Sequence, residues 1–97
     1  MHTTEEYIRL LTQYKQQNAE RYGIKSIGIF GSVARGEQHP GSDVDVVVDL
    51  KTPDIYYMVH IKDDLEQLFC VPVDIVRIRE RMNPLLKRNI IRDGVYA

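Results

Sequence analysis

The alternation of helical and extended patterns along the chain predicts a small α/β fold, in which helices cover a three-stranded sheet. Two long stretches with apolar residues at helical spacing predict helices over residues 3–22 and 53–69. Three apolar segments rich in β-branched residues predict the strands, at 24–30, 43–50 and 71–78. The length of 97 residues fits a single domain, 1–97.

Capping signals indicate where the helices begin and end. Thr3 and Glu6 have the spacing of a capping box at the start of the first helix. Asn83-Pro84 suits the N-cap and the first helical position of a last helix. Glycines stand where these two helices should end, at Gly23 and Gly94. Residues 95–96 are then expected to add a short extended segment or to pack on the sheet.

Glycines also mark the end of the first predicted strand. Gly28 weakens that strand by propensity, so a neighbouring backbone or a ligand is expected to approach closely there. Gly31-Ser32 forms a turn that leads into a single helical turn over residues 32–35. Backbone N–H groups at the start of a helix suit an anion such as phosphate, although a Gly-Ser pair alone is most often only a tight turn.

Acidic residues occupy one face of the second and third predicted strands. Asp43 and Asp45 share a face because side chains alternate along a strand, and Asp74 lies opposite the apolar residues of its own strand. The alternative for the Asp43/Asp45 pair is a solvated strand end, and for Asp74 an edge residue that faces water. Paired carboxylates close to a phosphate-binding turn favour a metal site and suggest phosphoryl or nucleotidyl transfer.

Mg²⁺ fits this set of ligands, because it prefers oxygen and commonly takes one or two carboxylates together with substrate phosphates. Asp43 and Asp45 would hold one ion, and Asp74 would help to hold a second ion roughly 4 Å away. Arg35 has two interpretations: it contacts a triphosphate, or it forms a salt bridge with Glu37 or another acid. Ser42 is expected to be a turn residue or, less often, a phosphate contact.

Net charge and cysteine content indicate which partners and which cellular compartment to expect. The net charge of −1 gives no general reason to bind nucleic acid, although the basic segment 77–92 could form a solvated helix face or meet an acidic partner or RNA. The single cysteine, Cys70, cannot form an internal disulfide, which indicates a reducing, cytoplasmic setting. No stretch has the length and composition of a signal peptide or a membrane span.

The combination of motifs resembles the nucleotidyltransferase superfamily typified by DNA polymerase beta. Gly31-Ser32, ten intervening residues and then Asp43-Val44-Asp45 match its signature. The fuller string, with Val73-Asp74-Ile75-Val76 further on, resembles the minimal nucleotidyltransferase (MNT) group over nearly the whole chain.

The resemblance implies a polymerase beta-like core with a mixed sheet and a set of site residues. Asp43, Asp45 and Asp74 would hold Mg²⁺, with Asp74 also helping to activate the acceptor hydroxyl. Gly31 and Ser32 would hold the nucleotide triphosphate, and Arg35 and Ser42, which the resemblance does not assign, are the further candidates for nucleotide binding.

The resemblance also implies a partner, because MNT proteins are commonly paired with HEPN-domain proteins, many of them ribonuclease toxins. The activity that the resemblance implies is transfer of AMP from ATP to a hydroxyl of the toxin, that of a tyrosine in the family's pattern, by which this chain acts as an antitoxin. Two alternatives stay open: a non-catalytic antitoxin that blocks its partner sterically, and transfer to a small molecule such as an aminoglycoside.

Overall fold

The structure is a computed structural model that describes residues 2–38, 41 and 43–97. Helices and strands alternate along the chain in the order α1 (Thr4–Tyr22), β1 (Ile24–Phe30), α2 (Gly31–Ala34), β2 (Val44–Leu50), α3 (Ile55–Phe69), β3 (Val73–Arg77), α4 (Pro84–Asp93) and β4 (Val95–Tyr96). In this part of the chain, no helix combines the length and the apolar character that a membrane crossing requires.

The strands form one mixed sheet in the order β3-β2-β1-β4. β1 pairs antiparallel with β2 and with β4, whereas β2 and β3 run parallel. The predicted α/β class and the mixed sheet are therefore confirmed. The predicted number of three strands is wrong, since the described residues form four.

The additional strand depends on Gly28 in the middle of β1. Gly28 pairs with Tyr96, and a Cβ at position 28 would lie 2.5 Å from the carbonyl oxygen of Val95 and 2.9 Å from Cδ1 of Tyr96. The expected close backbone approach at Gly28 is thus confirmed, and the approaching backbone is that of β4. A strand of two residues carries too little pattern to be predicted from sequence.

The two faces of the sheet are covered by different helices. α1 and α3 pack on one face, where the main core includes Tyr7, Leu11, Val46, Leu65 and Phe69. On the opposite face, α4 buries Ile90 against Phe30 and Val47. The alternation expected for β2 is confirmed, because Val44, Val46 and Val48 belong to the first core and Val47 to the second.

Caps at both predicted helix starts are present. The Thr3 hydroxyl accepts the N–H of Glu6, and the Glu6 carboxylate accepts the N–H of Thr3. Asn83 accepts the N–H groups of Leu85 and Leu86, with Pro84 as the first residue of α4. These caps fix where α1 and α4 begin.

Candidate active site

Asp45 lies at the centre of the candidate site. It is the second residue of β2, it pairs in register with Phe30 on β1, and it points to the same face of the sheet as Val47. Its carboxylate is half-buried. α4 covers this face further along β2, so the site lies at the end of the sheet where β1 finishes and β2 begins.

Asp74 is brought beside Asp45 by the parallel pairing of β2 and β3, in which the two residues are register partners. Asp43 comes two residues before Asp45, just outside the strand, and both Asp43 and Asp74 are exposed. Asp74 was expected to share a surface with Asp43 and Asp45 on the condition that the second and third strands lie side by side. β2 and β3 are neighbours in the sheet, so this expectation is confirmed.

The Gly31-Ser32 turn contacts the carboxylate of Asp45. Gly31 has a left-handed backbone with φ of 73°, and a Cβ at this position would overlap Oδ2 of Asp45 and lie 3.3 Å from its Cγ. Both features require glycine. Ser32 follows in α2, which is tied to α1 because the Thr4 hydroxyl donates to the carbonyl of Val33 at 2.5 Å. The turn and the acid are therefore parts of one site.

Neighbouring charge and burial act together on Asp45. Desolvation raises the pKa of its carboxyl above the ordinary value, and repulsion from Asp74 and then from Asp43 raises it further. Arg35 acts in the opposite direction on this pKa and is therefore close enough to interact with the site. A cation placed among these carboxylates would relieve the repulsion.

Arg35 is engaged by two carboxylates. Its Nε donates to Glu37 at 3.0 Å, and its Nη1 donates to Asp93 of α4 at 2.8 Å. The salt-bridge interpretation of Arg35 is thus realised here. A guanidinium has five N–H groups, so these bonds leave further donors for a phosphate, and the triphosphate contact stays a prediction.

Asp93 was not anticipated as part of this region. Its carboxylate also accepts hydrogen bonds from Arg92, and the bonds from Arg92 and Arg35 hold its pKa below the ordinary value. Its position in the sequence could have indicated this role. An acid in the last turn of a helix interacts unfavourably with the helix dipole, so it is expected to have a specific basic partner. Through Asp93, α4 is linked to the residue that follows α2.

Ser42 lies outside the described residues, so its expected contact with phosphate stays a prediction. Within the described residues, no three His, Cys, Asp or Glu side chains converge as a ready-made metal cage. The donor set nevertheless suits Mg²⁺, which takes few protein carboxylates and completes its shell with water and substrate phosphates. Burial contributes most to the raised pKa of Asp45, and the repulsion from Asp74 and Asp43 that adds to it is the part that such an ion would relieve.

Removing the charge of Asp74 is expected to stabilise the metal-free protein. Because the pKa of Asp45 is raised in the folded state, its ionisation opposes folding at pH values above that pKa and has no effect well below the ordinary value of 3.8. Asp74→Asn removes only the repulsive part of this effect, and solvent screens the exposed Asp74. It should therefore raise the Tm in EDTA at neutral pH by at most a few degrees, because an exposed charge pair contributes up to about 1 kcal/mol, which corresponds to ~4–8 °C in a small domain.

Asp63→Asn on the exposed surface of α3 is the matched control and should leave the Tm unchanged. Differential scanning calorimetry at neutral pH and near pH 4 checks both the size and the pH dependence of the effect. An equal Tm for Asp74→Asn and wild type at both pH values would contradict the electrostatic coupling of Asp74 to Asp45.

Comparison with known proteins defines the class of this chain. A family model described as a nucleotidyltransferase domain matches residues 11–97. The chain therefore belongs to the nucleotidyltransferase domain family and is a nucleotidyltransferase enzyme. It is 35% identical to the protein adenylyltransferase MntA of Thermococcus cleftensis over 98 residues, which cover 100% of this chain and 98% of the relative.

Solved structures show the same fold. A chain provisionally described as a minimal nucleotidyltransferase superposes with a TM-score of 0.76 at 29% identity, covering 97% of this chain and 95% of that chain. A complex of an MNT antitoxin with the tri-AMPylated HEPN toxin of Shewanella oneidensis matches with a TM-score of 0.70 at 18% identity, covering 97% of this chain and 71% of the matched chain. The resemblance to the MNT group is confirmed.

Proposed function

We propose that this chain transfers AMP from ATP to a hydroxyl, expected to be that of a tyrosine, on a HEPN-domain toxin, and that it acts as the antitoxin of that toxin. The observation that supports this most is the contact of Gly31 with Asp45, together with the pairing of Asp45 with Asp74. A triphosphate bound at the glycine turn would lie beside the carboxylates. The relative in Thermococcus cleftensis, named as a protein adenylyltransferase, supports a protein acceptor.

The residues divide into two groups in this proposal. Asp43, Asp45 and Asp74 would hold Mg²⁺, which when bound neutralises phosphate charge and polarises the phosphoryl group. The nucleotide would be held by the glycine turn and its neighbours, Gly31, Ser32, Arg35 and Ser42. Residues 1–97 are proposed to act as one domain, in a reducing cytoplasm where the exposed Cys70 stays unpaired.

The chemistry is an in-line substitution at the α-phosphorus of ATP. The acceptor oxygen forms a bond to the α-phosphorus while the bond from that phosphorus to the bridging oxygen of the β-phosphate breaks, and pyrophosphate leaves with the electron pair. Asp74 accepts the hydroxyl proton or directs it to solvent. Holding the two reactants in line supplies much of the acceleration, because it removes the entropic cost of their encounter.

ATP labelled at the α-phosphate or at the γ-phosphate distinguishes AMP transfer from a kinase reaction. With Mg²⁺ and a HEPN-domain protein encoded in the neighbouring reading frame, the label should pass to the HEPN protein. The γ-phosphate label should appear only in pyrophosphate. Transfer of the γ-label to the protein would identify a kinase instead, and absence of both labels from a bound partner would sink the catalytic proposal.

A further inference from the structure

The outer edge of β3 is open to an additional strand. β3 is the last strand of the sheet, and among the described residues only β2 pairs with it. The N–H of Ile78 points to β2, where it donates to Val48, whereas the N–H of Val73 points away and donates to the Glu66 carboxylate of α3. Since backbone groups alternate along a strand, Ile75 and Arg77 present their N–H and C=O groups outward.

Residues of α3 on one side, and of α4 with the segment that leads into it on the other, line a groove at this edge. Ile55, Met58 and Val59 of α3 line one side, and Met82 and Leu86 line the other. Ile75 packs toward the core under α3, and Val76 toward the core under α4. Side chains of a strand added beside β3 would alternate between the two walls, so the groove has the form that strand addition requires.

The charge of the groove favours an acidic occupant. Its lining residues include the basic Lys62, Arg77 and Arg79 and the acid Asp54, which caps the N–H of Tyr56 at the start of α3. Lys62 forms an ion pair with Glu66 of α3 at 3.7 Å, so Arg77 and Arg79 are the side chains that would attract an acidic segment. A second copy of this chain added at the same edge would bring the two sets of arginines together. An acidic segment of another protein would instead neutralise them.

The groove and the candidate active site share the strand β3, although none of the site residues lines the groove. Asp74 immediately precedes Ile75 on β3 and is paired with Asp45. A segment that runs along the edge of β3 therefore extends toward the carboxylates. Resting on the proposed function, we propose that this groove, defined by β3, α3 and α4, binds an extended acidic segment of the acceptor protein as an added strand and directs the acceptor hydroxyl to the site.

The test reverses the charge of the groove without touching the site. Arg77→Glu with Arg79→Glu should raise the KM for the HEPN protein by about tenfold or more, corresponding to ~1.4 kcal/mol of lost binding, with kcat and ATP affinity unchanged. The matched control is Arg81→Glu with Arg88→Glu, two exposed arginines of the same basic segment outside the groove. The control should keep the wild-type KM.

Ile75→Pro tests the backbone pairing separately. It removes an outward N–H while leaving the bonds from β3 to β2 in place, and it should weaken partner binding by a similar factor. Circular dichroism and Tm show whether this variant folds. Where it does not fold, the charge variants carry the test alone.

Calorimetric titration of the unmodified HEPN protein separates this proposal from the proposed function. If wild type binds the partner but does not label it, the proposed function fails, and the groove is supported only if the Arg77/Arg79 variant loses at least about tenfold in affinity. The groove proposal would be overturned if the Arg77/Arg79 variant kept the wild-type affinity for the HEPN protein, if the Arg81/Arg88 control lost as much affinity, or if wild type did not bind the HEPN protein. The proposal would also be overturned if the Arg77/Arg79 variant lost RNA binding or self-association while its affinity for the HEPN protein stayed the same.

Discussion

Replacing Asp45 by asparagine is expected to reduce AMP transfer by at least about 10³-fold, the effect of losing several kcal/mol of metal-assisted charge stabilisation. Asp45 is the carboxylate that contacts the glycine turn and pairs with Asp74. The fold should persist, because the amide has the same shape and removes a half-buried, repelled charge. The rate of α-label transfer to the partner, measured alongside the Tm, checks both expectations.

Asp49→Asn provides the control for Asp45→Asn within the same strand. Asp49 lies four residues further along β2 on the same face, is partly buried like Asp45, and faces Lys25 at 3.8 Å. It is remote from the glycine turn, so its replacement should leave transfer unchanged. Equal losses in the two variants would show that the face of β2, rather than Asp45, determines the activity.

Gly31→Ala is expected to reduce transfer by about 10²-fold, the size of loss that a misplacement of about 1 Å produces in a catalytic site. The new Cβ would overlap the Asp45 carboxylate and force it away. The left-handed backbone of Gly31 adds about 1–2 kcal/mol of destabilisation for any residue with a Cβ. Transfer rates and denaturant midpoints measure the two effects.

Gly36→Ala is the control that shows whether backbone strain alone explains the activity lost in Gly31→Ala. Gly36 has nearly the same backbone, with φ of 72°, but among the described residues no atom lies within 4 Å of where its Cβ would be. It should therefore lose a similar amount of stability while keeping its activity. If Gly36→Ala were as inactive as Gly31→Ala, the contact between position 31 and Asp45 would not explain the loss.

Local patterns were sufficient to predict most of the elements and the acidic face. Period-two alternation separates Val44 and Val46 from Asp45 because a strand with one polar and one apolar face records its orientation in the sequence. Capping residues likewise marked the start of α1 at Thr3. These features depend on neighbours within a few residues, which is why they can be predicted without an alignment.

Contacts between residues far apart in the chain could not be predicted from these local patterns. The mixed sheet came from the family resemblance, since nothing local to β2 and β3 specifies that they run parallel. The short extended segment expected at residues 95–96 is present as β4, but its pairing with β1 as a fourth strand depends on the close approach that Gly28 allows and has no local pattern. The bond from Arg35 to Asp93 joins positions 58 apart in the chain and could be suspected only from the unfavourable place of Asp93 in its helix.

The intact mass of the HEPN protein after co-expression tests the central proposal most directly. With wild type, the purified partner should carry the added mass of one or more AMP groups. With Asp43→Asn and Asp45→Asn combined, it should be unmodified although still bound, and its toxicity should return. An unmodified partner that wild type and the double variant neutralise equally would contradict catalysis and identify a steric antitoxin.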